Sequence, residues 1–278
     1  MTYHLQIAGL QFRICSNSNF YLPECFQAFV GQESQPNPHI TIELLPISEK
    51  FSFDGQQIAK NVFLLDGSVI QRCSWGEKQY IVRVEPADRG EPCQLGIPQQ
   101  YFDEFCANGN WLPSMMLERL MLPHGRIFLH AAAVIWKNKA YLFVAPSGGG
   151  KSTQAALWES QGAEILNGDK VILAREKDEW MAYGGPVAGS SQIYKDKHAA
   201  LAAIMLVRKK PHNQLIRMSP REAFLNLYSN AIKSNWDQEY NCRLLDMIEP
   251  IAKQIPIYYL DCTPEPCAVD YVHSKLKG

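Results

Sequence analysis

Tyr141-Leu142-Phe143-Val144-Ala145-Pro146-Ser147-Gly148-Gly149-Gly150-Lys151-Ser152-Thr153 is the stretch on which the fold turns. A short apolar run leads into a glycine-rich turn, and a helical pattern begins at Gln154. Glycines in a row let the backbone curl so that successive N–H groups point at one anion, with no Cβ in the way. A lysine and a hydroxyl at the start of the following helix add a charge and a metal ligand, and the helix adds the positive end of its dipole. The spacing is that of a phosphate-binding loop of the Walker A type, with one departure: Ala145 stands six residues before the lysine, where the full pattern has glycine. The expected ligand is a nucleoside triphosphate, cradled by Ser147, Gly148, Gly149, Gly150, Lys151, Ser152 and Thr153.

Composition narrows the partners. The chain has 278 residues, 46% of them hydrophobic and 20% charged, which is ordinary globular composition. A formal net charge of −1 argues against a nucleic-acid partner, which asks for a basic stripe. The eight cysteines form no Cys-x-x-Cys pair, so reduced thiols in the cytoplasm are expected rather than a zinc site. No apolar run approaches a membrane span, and the first residues lack a basic segment followed by an apolar one.

Working outward toward the N-terminus, Leu10, Phe12 and Ile14 alternate with polar neighbours, as do Ile40, Ile42 and Leu44. That is the period of half-buried strands. Asp66-Gly67 between two apolar runs signals a tight hairpin turn, and Tyr80–Val84 supplies a further strand. Residues 1–95 are expected to form a β-rich region without visible chemistry, suited to recognising an acceptor, and residues 96–278 the catalytic part. From Tyr101 to Met121 the pattern is helical, with Pro113 opening the piece that carries Met115 and Met116.

Ile127–Trp136 and Ala140–Val144 are joined by only Lys137-Asn138-Lys139, too short for a parallel crossover, so the strand before the loop is antiparallel to its predecessor. The sheet is therefore expected to be mixed. Downstream, Val171–Ala174 and Trp180–Tyr183 form a second hairpin, and Ala202–Val207 is expected to pair with Gln214–Arg217. Ser219-Pro220-Arg221-Glu222 is a capping box that opens a helix to about Lys233. Another helix spans 238–254, a strand begins at Ile255, and a last helix begins at Thr263.

Four places could serve phosphate chemistry. Asp169, in Asn167-Gly168-Asp169-Lys170, ends an apolar strand where the next strand would emerge beside the loop, and a turn aspartate accounts for it equally well. His130 interrupts an apolar strand, a setting more common for a hydrogen-bonded core histidine. Gly184–Ser191 is a second glycine-rich segment, and Arg208, Lys209, Lys210 and Arg217 are either a charge clamp or solvated side chains.

The succession of His130, the hairpin, Pro146–Thr153, Asn167-Gly168-Asp169-Lys170 and Gly185-Pro186 resembles the catalytic domain of HPr kinase/phosphorylase, whose phosphate-loop fold is akin to phosphoenolpyruvate carboxykinase. Within that group it is more similar to stand-alone HPr-kinase-like proteins found beside peptide-modifying enzymes, including lasso-peptide kinases. The likeness spans about residues 120–275. It implies an α/β fold with a mixed-sheet P-loop domain and a β-rich N-terminal region, and an ATP- and Mg2+-dependent kinase that phosphorylates a Ser-type hydroxyl on a peptide or protein, such as a precursor peptide. By the same resemblance Lys151 neutralises the moving phosphate, Ser152 and Asp169 hold magnesium, His130 assists the acidic centre, and the chain self-associates. The family usually carries a second acid, thought to be the base, at the position that is Gly168 here. The competing expectation is a nucleotide-binding, catalytically impaired module that recruits a partner in a peptide-modification system, and a carboxykinase acting on a small acid ranks third.

Overall fold

The computed structural model describes residues 1–31, 37–48, 55–84, 92–108 and 116–276. The chain divides into two compact units, Met1–His124 and Gly125–Gly278. Among the described residues no helix is long and apolar enough to cross a membrane.

The first unit comprises β1 (Thr2–Ile7), β2 (Leu10–Ser16), α1 (Glu24–Gln27), β3 (Ile40–Ile47), β4 (Gln56–Ala59), β5 (Val62–Leu65), β6 (Ser68–Trp75), β7 (Lys78–Val84), β8 (Cys93–Pro98), α2 (Gln99–Asn108) and α3 (Leu117–Met121). The described strands form one sheet in the order β1-β2-β3-β8-β7-β6-β5-β4. It is mixed, since β3 runs parallel to both β2 and β8. The alternation in β2 and β3 puts Phe12, Ile14, Ile42 and Leu44 in the core. Asp66 and Gly67 both take positive φ, 50° and 81°, the backbone that a two-residue hairpin with right-handed twist requires.

Two expectations shift here. The units divide at residue 124/125 and not at 95/96, because Leu95 lies inside β8, which pairs with β3 and β7, and α2 buries Phe102 and Phe105 in this unit. The helical stretch is two helices, α2 and α3, and Met116 precedes α3 in a left-handed conformation at φ 48°. Pro113 and Met115 lie outside the described residues.

The second unit contains β9 (Arg126–Trp136), β10 (Lys139–Val144), α4 (Lys151–Ser160), β11 (Glu164–Asn167), β12 (Lys170–Glu176), β13 (Glu179–Tyr183), β14 (His198–Lys209), β15 (Gln214–Arg217), α5 (Pro220–Asn230), α6 (Gln238–Gln254), β16 (Ile257–Cys262) and α7 (Cys267–Leu276). Its sheet runs β10-β9-β12-β13-β14-β16-β15, and β11 pairs with β9. β10 also pairs in parallel with β14, so β9, β12, β13, β14 and β10 join in a closed ring. The hairpins β9/β10 and β12/β13 are antiparallel, as their short links dictate. α4 and α7 cover one face through Trp158, Phe143, Met205, Val207, Leu260, Val269 and Val272. The capping box opens α5, with the Ser219 side chain accepting from the Glu222 N–H and Glu222 closing back on Ser219.

One pairing differs from expectation. β14 does not pair with β15: β16 lies between them, parallel to β14 and antiparallel to β15. The apolar Ile257–Leu260 run takes the interior place, and β15, mostly exposed, takes the edge. β16 starts at Ile257 and α7 at Cys267, later than the sequence suggests, because Ile255 still caps α6.

Candidate functional site

β10 delivers the chain to the glycine turn and α4 leaves from it, with Lys151 as the first helical residue. The glycines answer separate needs. Gly148 and Gly150 take φ of 70° and 106°, which side chains resist, and a Cβ on Gly149 would stand 2.7 Å from the Ala145 Cβ and 2.8 Å from the Pro146 carbonyl oxygen. The Gly149 N–H donates to that same carbonyl at 2.9 Å, closing the turn. No side chain caps α4, so its first N–H groups and dipole are left for another acceptor.

Lys151 is 8% exposed although charged. Its amine donates to the Ala145 carbonyl at 2.8 Å and meets His130 Nε2 at 3.0 Å. On the far side of the imidazole, His130 Nδ1 lies 3.3 Å from Asp169 Oδ1. Lys151, His130 and Asp169 thus stand in a row, supplied by α4, β9 and the β11–β12 turn. Burial first, and then the Lys151 charge, lower the His130 pKa from its ordinary value against the opposing pull of Asp169. Burial lowers that of Lys151 as well, again opposed by Asp169. A neutral imidazole facing an ammonium must accept at Nε2, which leaves its proton on Nδ1, directed at the carboxylate.

Asn167 fixes this row, and its part was not evident in the sequence. It is fully buried, and its Oδ1 accepts from the Asp169 and Lys170 N–H groups, both at 2.9 Å. Its Nδ2 donates to the Gly185 and Val187 carbonyls at 3.1 and 3.2 Å. One side chain thereby shapes the Asp169 turn and ties the second glycine-rich segment against it. The only sequence signal was an Asn-Gly dipeptide at a strand end, which reads first as a turn former. Gly189 passes so near that a Cβ there would be 2.8 Å from Asp169 Cγ, and a Cβ on Gly168 would be 2.1 Å from Ser191 Oγ. Ser191 therefore occupies the space that a side chain at 168 would need.

The remaining expected residues separate. Ser147, Ser152 and Thr153 are exposed on the loop and first turn of α4, outside the Lys151–His130–Asp169 row. Arg208 is taken up by Asp261, with Nε to Oδ1 at 2.5 Å, and Arg217 by Tyr258, with Nη1 to the hydroxyl at 3.3 Å. Gln154, 2% exposed on α4, donates to the Cys262 sulfur at 3.2 Å and joins the helix to the end of β16.

No protein-family model and no curated protein matches this chain. A solved structure of the Hpr(Ser) kinase/phosphatase from Coxiella burnetii is similar to it over 54% of this chain and 93% of that one, with 12% sequence identity and a TM-score of 0.33.

Proposed function

We propose that the second unit is a kinase: it binds Mg-ATP at residues 145–153 and moves the terminal phosphoryl group to a Ser-type hydroxyl of a peptide or protein, of which a precursor peptide is one example. The observation that carries this reading is the row of Lys151, His130 and Asp169 at the mouth of a glycine turn whose Gly149 leaves no room for a side chain. The residues fit a polyphosphate. Backbone N–H groups at an uncapped helix start and a buried ammonium beside them together favour a compact anion. Ser152 and Asp169 offer the oxygen ligands that magnesium prefers, and the ion would neutralise charge on the phosphates.

Lys151 has two calls on its amine. Without a phosphate it donates to Ala145 and His130; turned to a γ-phosphate it would leave Nε2 of a neutral His130 open, backed by Asp169 on Nδ1. In the transfer the acceptor oxygen bonds to phosphorus, the bridging P–O bond to the β-phosphate breaks, ADP departs and the hydroxyl proton goes to the His130–Asp169 pair. A loose phosphoryl transition state needs positioning and charge more than a strong base, so a pair of this kind suffices without a second acid.

Incubating the chain with labelled ATP, magnesium and serine-containing peptides tests this directly. Phosphate transfer that disappears in Lys151→Ala and Asp169→Asn supports the assignment, and full activity in both variants removes it. The second reading, a nucleotide-binding module that recruits a partner without turnover, draws on Gly168, whose side-chain space Ser191 fills. Tight ATP binding with no transfer to any acceptor would select it.

A further inference from the structure

β14 ends beside the loop and sends alternate side chains to opposite faces of the sheet. Val207 packs on the α4 side with Trp158 and Val269. Lys209, two residues on, leaves from that same face: its Cε is 3.8 Å from where a Cβ on Gly150 would stand, and Val207 Cγ1 is 3.4 Å from the same point. Arg208 leaves from the other face, where it pairs with Asp261 and lies over the Tyr259 ring at 4.3 Å. The Lys209 side chain is exposed, and its ammonium makes no hydrogen bond or ion pair among the described residues. Such lysines are usually just solvated. This one differs in standing over a backbone turn that has no side chain to shield it.

Sheet order decides which part of a ligand it would meet. β10 lies between β9 and β14, with Val144 level with Ala131 on one flank and with Leu206 on the other. His130 and Asp169 belong to the β9 flank, and the Lys151 amine is turned toward them. Lys209 belongs to the β14 flank. A phosphate chain laid across the end of β10, with its reacting phosphate at His130 and Asp169, carries its inner phosphates toward β14. We propose that Lys209 is a second cation of this site, contacting the non-transferred phosphates of a nucleoside di- or triphosphate. The assignment rests on the nucleotide-binding reading of residues 145–153. A lysine suits the place, being a compact charge on a flexible stem that reaches an anion without a fixed donor geometry.

Calorimetry on the full chain with ADP and ATP in magnesium buffer tests it. Lys209→Gln is expected to weaken both nucleotides by a similar factor, about three- to tenfold, as suits one charge-assisted contact at an exposed site. Lys209→Glu weakens them further, Lys209→Arg stays within about twofold, and Lys210→Gln, one residue on and also exposed, matches the wild type. The salt sensitivity of ADP binding should fall in Lys209→Gln, a change that a loss of packing would not produce. Unchanged ADP and ATP affinity in Lys209→Gln and Lys209→Glu, beside a clear loss in Lys151→Ala, would overturn the role of Lys209 and leave the loop reading intact. Failure of the wild-type chain to bind either nucleotide would overturn both.

Discussion

The two units are built from similar material, a mixed β-sheet with a few helices, yet they bury different things. Among the described residues the buried polar side chains of the first unit are Ser16 and Ser68, whereas the second buries Lys151, Gln154, Asn167, Ser234 and Asp261. Removing a charge or an amide from water is costly unless partners replace the lost hydration. The first unit avoids the cost by filling its interior with Phe, Ile, Leu and Val. The second accepts it, and three of its five buried polar residues sit on the loop helix or the strand end that carries Asp169. Buried polar groups gathered in this way are more common at functional sites than in cores that only pack.

The sharpest way to break that contrast is Lys151→Ala. Transfer of labelled phosphate should fall by at least about 100-fold, the scale for removing one preorganised charge stabiliser, while urea unfolding changes little because a buried charge is lost along with its hydrogen bonds. Activity within a few-fold of wild type would show the buried lysine to be structural. Asn167→Ala comes next. It strips four hydrogen bonds from the Asp169 turn, so chemical denaturation should report a loss of about 2–4 kcal/mol, against about 1–2 kcal/mol for Ser16→Ala in the first unit, whose hydroxyl donates to the Leu44 carbonyl and accepts from the Ser18 N–H. Equal costs at the two positions would erase the distinction.

Gly149→Ala places a methyl group against Ala145 and the Pro146 carbonyl and should cost about 1–3 kcal/mol by the same assay, together with nucleotide affinity measured by calorimetry. The smallest effect expected is in pH. The folded His130 binds its proton less readily than the unfolded chain, so the unfolded state takes up a proton first as pH falls through the ordinary value of 6.5. His130 therefore adds stability above that pH, loses it below, and reaches its full penalty only beneath the lowered folded pKa. Denaturation midpoints between pH 7.5 and 5 should fall more in the wild type than in His130→Asn, and parallel curves would remove His130 from the account.

Much of the fold was legible. The glycine turn, both hairpins of the second unit, the capping box of α5 and the alternating strands of the first unit rest on short-range rules of period, turn length and capping, and the structure places them where those rules put them. The β14–β15 pairing went astray because adjacency in the chain was taken for adjacency in the sheet, and the α5–α6 excursion brings β16 between them. The boundary expected near residue 95 followed the change from strand to helix patterning, whereas the compact units divide at 124/125 and pairing continues through β8.

For the site, the sequence alone determined the loop, since three glycines, a lysine and a helix start carry their geometry in contiguous residues. It named His130 and Asp169 but left each balanced against a bland explanation. Only the tertiary structure brought them to one line with Lys151, 21 and 18 residues away along the chain, and only it gave Asn167 a purpose. The reason is physical. Backbone conformation is set by neighbours in sequence, whereas the worth of a charge or a hydrogen-bonding group is set by what faces it across the sheet, and that is fixed when β9, β10 and β12 come into register.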